Sequence, residues 1–191
     1  MGRQGSFLKR ATDILISVIL LIISSPLLLI LSILIKLDSP GPVFFIHDRA
    51  GYLGKPFRMI KFRGMIDNAL QFGPELTQVN DPRITKIGKF MRRTSIDEIP
   101  QVINIFKGEM SIIGPRPEMV SITQKYIEEQ REIFKIKPGL TGISQINGRQ
   151  KLTPAERVKM EIEYYKRETF FSDLKIFFKT FGVIISNEGN I

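Results

Sequence analysis

The 191-residue chain carries 28 basic residues against 19 acidic ones, a net charge of +9, with no cysteine, no tryptophan and one histidine. That length buries one moderate core plus an appended element. The lack of cysteine excludes disulfides and thiolate metal sites, and the lone His47 leaves acid–base chemistry mainly to Asp, Glu, Lys or Tyr.

From Ile14 to Ile35 runs an uncharged apolar segment of 22 residues, long enough to cross a bilayer core of ~30 Å as a helix. It is too long for a signal peptide, and no small-residue cleavage site follows it. Ser24-Ser25-Pro26 sits mid-run, where proline removes a backbone hydrogen bond and kinks a helix. Both flanks are basic, with Arg3, Lys9 and Arg10 before and Lys36 after, which keeps both ends on the cytoplasmic side. Two readings follow. One is a helix–break–helix that enters and leaves by the same face, its freed carbonyls met by the hydroxyls of Ser17, Ser24 or Ser25. The other is an ordinary spanning helix.

Asp38-Ser39-Pro40-Gly41-Pro42 ends the apolar element. Val43–Ile46 and Phe57–Arg63, joined by a turn over Arg49–Pro56, predict a β-hairpin. Residues 64–82 read as a loop, with a short helix near Met65–Leu70 and turns at Gly73-Pro74 and Asp81-Pro82. Ile84–Met91 reads as a helix, and Gln101–Phe106 as a segment with one buried face, stopped at Lys107-Gly108. Pro117–Lys135 predicts one helix. Leu140–Arg149 is punctuated by glycine, and Thr153-Pro154-Ala155-Glu156 is a capping box opening a helix to about Arg167. Ser172-Asp173 opens the last helix, Leu174–Ile185, which suits either a core or the membrane interface with its lysines reaching headgroups.

The chemistry centres on Arg92-Arg93-Thr94-Ser95-Ile96-Asp97-Glu98-Ile99-Pro100-Gln101. Ser95 with Glu98, and Thr94 with Asp97, also match a capping box, but capping does not account for the cations around the acids. A carboxylate can attack phosphorus and form an acyl phosphate, provided arginines and a divalent cation neutralise the phosphoryl oxygens. Magnesium suits one or two carboxylates plus substrate phosphates. Gly114-Pro115-Arg116-Pro117 holds one arginine between two prolines. Lys61 and Arg63 add cations on the second strand, and the glycine-rich 138–149 run, with Gln145 and Arg149, lets backbone amides approach phosphate. No GxxxxGK[ST] or GxGxxG motif occurs, against the common nucleotide folds. A basic membrane-anchored scaffold is the rival reading. Nucleic-acid binding is favoured by charge alone and opposed by the apolar segment.

These stretches resemble the bacterial sugar transferase family, the monotopic phosphoglycosyl transferases, from about Lys9 to Thr180. The matching motifs are Lys9-Arg10-x-x-Asp13, Ser25-Pro26, Gly41-Pro42-Val43-Phe44-Phe45, Lys61-Phe62-Arg63, Asp81-Pro82-Arg83, the Arg92–Gln101 stretch, Gly114–Pro117, Lys137-Pro138-Gly139, Gln145-x-x-Gly148-Arg149 and Tyr164-Tyr165. Departures are Gly64 where threonine is usual, His47 where glutamine is common and Ile143 where tryptophan is common. The resemblance implies a mostly helical α+β fold: a re-entrant membrane helix over 1–38, broken at Ser25-Pro26, a catalytic domain over 39–185 with amphipathic helices and a short hairpin, and a tail over 186–191. It further implies a minimal catalytic form, without the extra N-terminal membrane helices of longer relatives. The implied activity is transfer of a sugar phosphate from a UDP-sugar to undecaprenyl phosphate with release of UMP, at the cytoplasmic face of the bacterial inner membrane. Asp97 would be the covalent nucleophile, Glu98 a base or magnesium neighbour, and Arg92, Arg116 and Arg149 phosphate or nucleotide holders, with Lys61, Arg63 and Gln145 alongside. Mg²⁺ would be the cofactor. UDP-sugar, undecaprenyl phosphate and membrane lipids would be the partners, nucleic acid would not, and a homodimer is left open.

Overall fold

The computed structural model describes residues 6–78, 80–148 and 152–186, with backbone only at 184–186. Helix α1 runs Phe7–Asp38, a full 32 residues, capped by the Ser6 side chain accepting from Lys9 N. It extends beyond the apolar run at both ends because Lys9, Asp13 and Asp38 find partners in the folded domain. Pro26 lies inside it, so the break expected at Ser25-Pro26 is not a gap between two helices. The carbonyl four residues before the proline, that of Ile22, is met instead by Ser25 Oγ at 2.8 Å. Ser17 and Ser24 bond carbonyls that Pro26 does not free, those of Asp13 and Leu20.

Both ends of α1 are tied to the same short stretch of chain. Near its start, Arg10 donates to the Ile105 and Phe106 carbonyls at 2.7 Å each, and Asp13 Oδ1 accepts from Ile112 N at 3.0 Å and Ser111 Oγ at 3.1 Å. At its end, Asp38 Oδ2 accepts from Ile87 N at 2.9 Å. Ile16 and Leu20 pack on one core cluster, around Phe57, Met59, Ile105 and Ile112, while Leu31 and Ile35 join Phe62 and Met91 in a second. Between these docking points the helix shows apolar side chains to the outside, Ile22 and Ile23 among them.

Strands β1 (Phe44–Ala50) and β2 (Pro56–Phe62) form the expected antiparallel hairpin, with Phe45 opposite Lys61 and Arg49 opposite Phe57. Helix α2 (Lys86–Thr94) starts at Thr85, whose hydroxyl accepts from Gly88 N. A 3-10 turn over Ile96–Gln101 joins it to α3 (Val102–Lys107), which ends at Gly108 with φ 90°. Two short strands, β3 (Ser111–Ile113) and β4 (Gly139–Thr141), pair in parallel. Their lengths carry no periodicity, so sequence reading did not find them.

The single helix expected over Pro117–Lys135 is instead α4 (Val120–Thr123), α5 (Glu128–Arg131) and a 3-10 turn over Glu132–Lys135. Tertiary packing overrides helical propensity here. The chain breaks so that buried Tyr126 can stack on Phe134, 6.1 Å between ring centres. The Tyr126 carbonyl released by the break accepts from Arg131 Nε at 3.2 Å. Helix α6 spans Ile143–Ile146, and α7 (Pro154–Tyr165) begins with the predicted capping box, Thr153 and Glu156 bonded reciprocally. Helix α8 runs Phe170–Ser186, opening one turn earlier than expected because Thr169 and Ser172 bond each other's backbone N–H. Tail residues 187–191 lie outside the described residues.

Candidate active site

The Asp97–Glu98 pair owes its placement to how α2 ends. Thr94 turns its hydroxyl back onto the Phe90 and Met91 carbonyls, and Ser95 takes φ 56° as the helix C-cap. Neither side chain caps the following turn, so the capping-box reading of the two acids fails and both carboxylates are released for other work. Pro100 and Gln101 are buried and anchor the turn, leaving Asp97 and Glu98 half-buried on its open side.

The two acids are treated differently. Glu98 Oε1 accepts from Lys61 Nζ at 2.8 Å and from Arg116 Nη2 at 2.9 Å, with Arg116 Nη1 3.4 Å from Oε2. Burial opposes its charge, but Arg116 and Lys61 outweigh that and hold Glu98 well below the usual carboxylate range. Asp97 accepts no hydrogen bond and makes no ion pair among the described residues. Burial and the neighbouring Glu98 charge raise its pKa, and Lys61, Arg92 and Arg116 only partly oppose them. One carboxylate is therefore locked and permanently charged. The other is unengaged, more basic, and surrounded by cations.

Lys61 arrives from β2. Burial lowers its pKa, and the Glu98 contact opposes that. Arg92 sits in the last turn of α2, with Nη1 3.0 Å from Thr77 Oγ1. Arg116 is exposed on a rigid mount. Gly114 N donates to Thr141 O and Gly139 N to Pro115 O, and a Cβ on Gly114 or Gly139 would collide with the opposing backbone. A shallow cleft open to solvent lies beside Arg116, lined by Ala50, Thr123, Tyr126, Phe134 and Pro138 among others.

Of the residues expected in the site, Asp97, Glu98, Lys61, Arg92 and Arg116 come together. Arg63 does not join them. It is buried, and its guanidinium holds the Ser39 and Pro40 carbonyls where α1 ends. Gln145 is buried on α6 beside Ser144. Arg149 lies outside the described residues. Arg49 was missed: the hairpin register puts it on the face of Lys61. It stands in the electrostatic reach of Arg116 and Glu98, with a buried Nε that has no partner. The alternation Phe45, His47, Arg49 was the available signal. Gly64, where threonine is usual, leaves room beside Arg92, since a Cβ there would stand 3.5 Å from Arg92 Nε. His47 Nε2 lies 3.3 Å from Glu75 Oε1 and fastens the 64–78 loop to the hairpin.

The arrangement is a cluster of cations around one carboxylate that is free among the described residues, in a chain that also carries a helix of membrane length. The chain matches the bacterial sugar transferase family over residues 4–187 and belongs to it. It is similar to the UDP-glucose:undecaprenyl-phosphate glucose-1-phosphate transferase of Escherichia coli (strain K12), 43% identical over 183 residues, covering 91% of this chain and 39% of that protein. It is similar also to the undecaprenyl-phosphate galactose phosphotransferase of Salmonella typhimurium, 38% identical over 98% of this chain and 42% of that protein. The exopolysaccharide production protein ExoY of Rhizobium meliloti is 34% identical over 97% of this chain and 89% of its own length. The chain spans about two fifths of the length of the first two relatives.

Proposed function

We propose that the protein transfers a sugar phosphate from a UDP-sugar to undecaprenyl phosphate and releases UMP, through a covalent intermediate on Asp97. The observation that carries this reading is the contrast within the acidic pair: Glu98 clamped by Lys61 and Arg116, Asp97 beside it with no partner among the described residues. A carboxylate without hydrogen bonds keeps its lone pairs available, and its raised basicity makes it the better nucleophile. In the first step an Asp97 oxygen attacks the β-phosphorus, and the bond from that phosphorus to the bridging oxygen breaks. The electron pair leaves with UMP. In the second step a phosphate oxygen of the lipid attacks the same phosphorus, displaces the Asp97 carboxylate and carries the phosphosugar away. Arg116, Arg92 and Arg49 neutralise the phosphoryl oxygens. Glu98, fully ionised, is a poor base, and its work is to hold Arg116 and Lys61 in place.

Magnesium, if bound, would be held by Asp97 and Glu98 together with the substrate's own phosphate oxygens, since this ion is usually held by one or two carboxylates plus phosphates. When bound, it would neutralise charge on the diphosphate as UMP departs. The relatives named for glucose and galactose phosphate transfer to undecaprenyl phosphate support the reaction class. For the membrane, the support is that both ends of α1 bind the segment 87–112 while its middle is apolar and outward-facing. A helix crossing the bilayer would put its two ends on opposite faces, where one folded segment could not bind both. The protein is thus read as entering and leaving by the cytoplasmic face of the bacterial inner membrane.

Intact-protein mass spectrometry after addition of one UDP-sugar with Mg²⁺ tests the mechanism. A phosphosugar adduct with one equivalent of UMP is expected, absent in folded Asp97→Asn. Full turnover by that variant would refute the assignment.

A further inference from the structure

Behind the Gly114–Pro117 turn lies a buried polar cluster that the proposed chemistry does not use. Glu161, on α7, is 1% exposed, and Tyr165 on the same helix and Gln145 on α6 are 4% and 6% exposed. Glu161 Oε1 accepts from Ser144 N at 3.0 Å and from Ser144 Oγ at 2.5 Å. Glu161 Oε2, Gln145 Nε2 and Tyr165 OH are buried without a hydrogen-bond partner. Unsatisfied buried polar atoms are destabilising, and a group of them in one place calls for a reason to be kept.

The cluster reaches the active site through backbone contacts. Gly142 is packed so closely that a Cβ on it would collide with the Gly114 carbonyl oxygen and stand 2.7 Å from Gln145 Oε1 and 3.1 Å from Glu161 Oε1. Gly114 N donates to Thr141 O at 2.8 Å, and Gly139 N to Pro115 O at 2.9 Å. The next residue is Arg116, held between two prolines, whose guanidinium grips Glu98.

We propose that Glu161 is a positioning residue for the transfer: by clamping Ser144 it presses Gly142 onto Gly114 and sets where the Arg116 guanidinium stands against Glu98 and the substrate diphosphate. The inference rests on the phosphosugar-transfer reading. It carries a pH dependence. Burial pushes Glu161 up to about 7, against the Ser144 hydrogen bonds that favour its charge. No described cation offsets that charge. On α6, Ser144 and Gln145 are not titratable, and neither are Gly114 and Gly142. The titratable neighbour is Tyr165, which burial raises well above its ordinary value, so it stays neutral throughout. A carboxyl whose pKa is raised on folding favours the folded arrangement while protonated, and that preference is lost as pH rises through the folded value. The clamp is therefore tightest while pH stays below the carboxyl's ordinary 4.5, loosens as pH rises from there to about 7, and changes no further above that.

The test follows kcat for UMP release, and hydrogen exchange of peptides covering 110–118 and 139–146 corrected for intrinsic rates, from about pH 4.5 to 8.5. Wild type, Glu161→Gln and Glu161→Ala are compared. In wild type, exchange in both peptides is expected to rise as pH goes from about 5 to about 7 and then to level off, and kcat to fall severalfold relative to Glu161→Gln over the same range. Glu161→Gln keeps the acceptor without the ionisation, so its exchange stays flat at the wild-type low-pH level and its kcat follows only the ionisation of Asp97. Glu161→Ala loses about tenfold or more in kcat at every pH and exchanges faster in 110–118. An exchange step with pH that persists in Glu161→Gln, or wild-type exchange in Glu161→Ala, overturns the proposal. Should wild type release no UMP from any UDP-sugar yet show the exchange step, the transferase reading falls while the clamp stands.

Discussion

Asp97 and Glu98 are adjacent in sequence and alike in chemistry, yet their surroundings separate them. Glu98 is ionised at any working pH because Arg116 and Lys61 touch it. Asp97 is pushed above its ordinary 3.8 by burial and by the Glu98 charge. An attacking carboxylate must be ionised, so kcat/KM should fall as pH drops through this raised value, with an acid limb above the usual aspartate range. Arg116 is one of the charges that lowers the Asp97 pKa. Arg116→Ala should therefore shift that limb to higher pH, besides lowering kcat by ~10²–10³-fold as a lost transition-state donor. A pH profile of UMP release for the two proteins checks this, and an unmoved limb would argue against direct coupling of the two residues. The pair itself was legible in the sequence as two acids among arginines. Which of the two is free was not, because that depends on where Lys61 and Arg116 arrive from β2 and from the Gly114–Pro117 turn.

At the level of elements, Arg63 shows how a motif can mislead. Lys61-Phe62-Arg63 reads as two cations on one face of a strand, since residues i and i+2 point the same way, but β2 ends at Phe62 and Arg63 lies beyond it, outside that alternation. Lys61 goes to Glu98, while Arg63 is 4% exposed and bonds Ser39 and Pro40. Its guanidinium closes the open carbonyls at the end of α1, so it links the membrane element to the hairpin. Arg63→Lys should lower stability by ~2 kcal/mol, the worth of a charge-assisted hydrogen bond, seen as a lower Tm. The KM for UDP-sugar in the surviving enzyme should be unchanged, and a raised KM with unaltered Tm would return Arg63 to the substrate. The hairpin and the capping box of α7 were foreseen because turn and cap chemistry is local. The break within 117–135 was not, since it answers to the packing of Tyr126 on Phe134. Strands β3 and β4 escaped for a similar reason: three residues each, they exist only as each other's partner.

For the whole molecule, the question is how α1 meets the membrane. The cysteine-free chain allows single cysteines at Phe7, Ile23 and Leu37, all exposed on α1 at 89%, 71% and 79%. In inverted inner-membrane vesicles an impermeant maleimide should label positions 7 and 37 and spare 23; in right-side-out vesicles it should label none. Labelling of 7 and 37 from opposite faces would establish a spanning helix. Composition and the 22-residue apolar run were enough to announce a basic protein with one membrane-length helix, because hydrophobic length and charge are sums over residues that need no fold. The motif order likewise marked the family. Only the tertiary structure decided that both ends of α1 bind one segment, that Glu98 is clamped while Asp97 is free among the described residues, and that Glu161 holds Ser144 behind the Gly114–Pro117 turn. Each of these is set by distances between groups far apart in the chain, and burial and partner charges act through those distances.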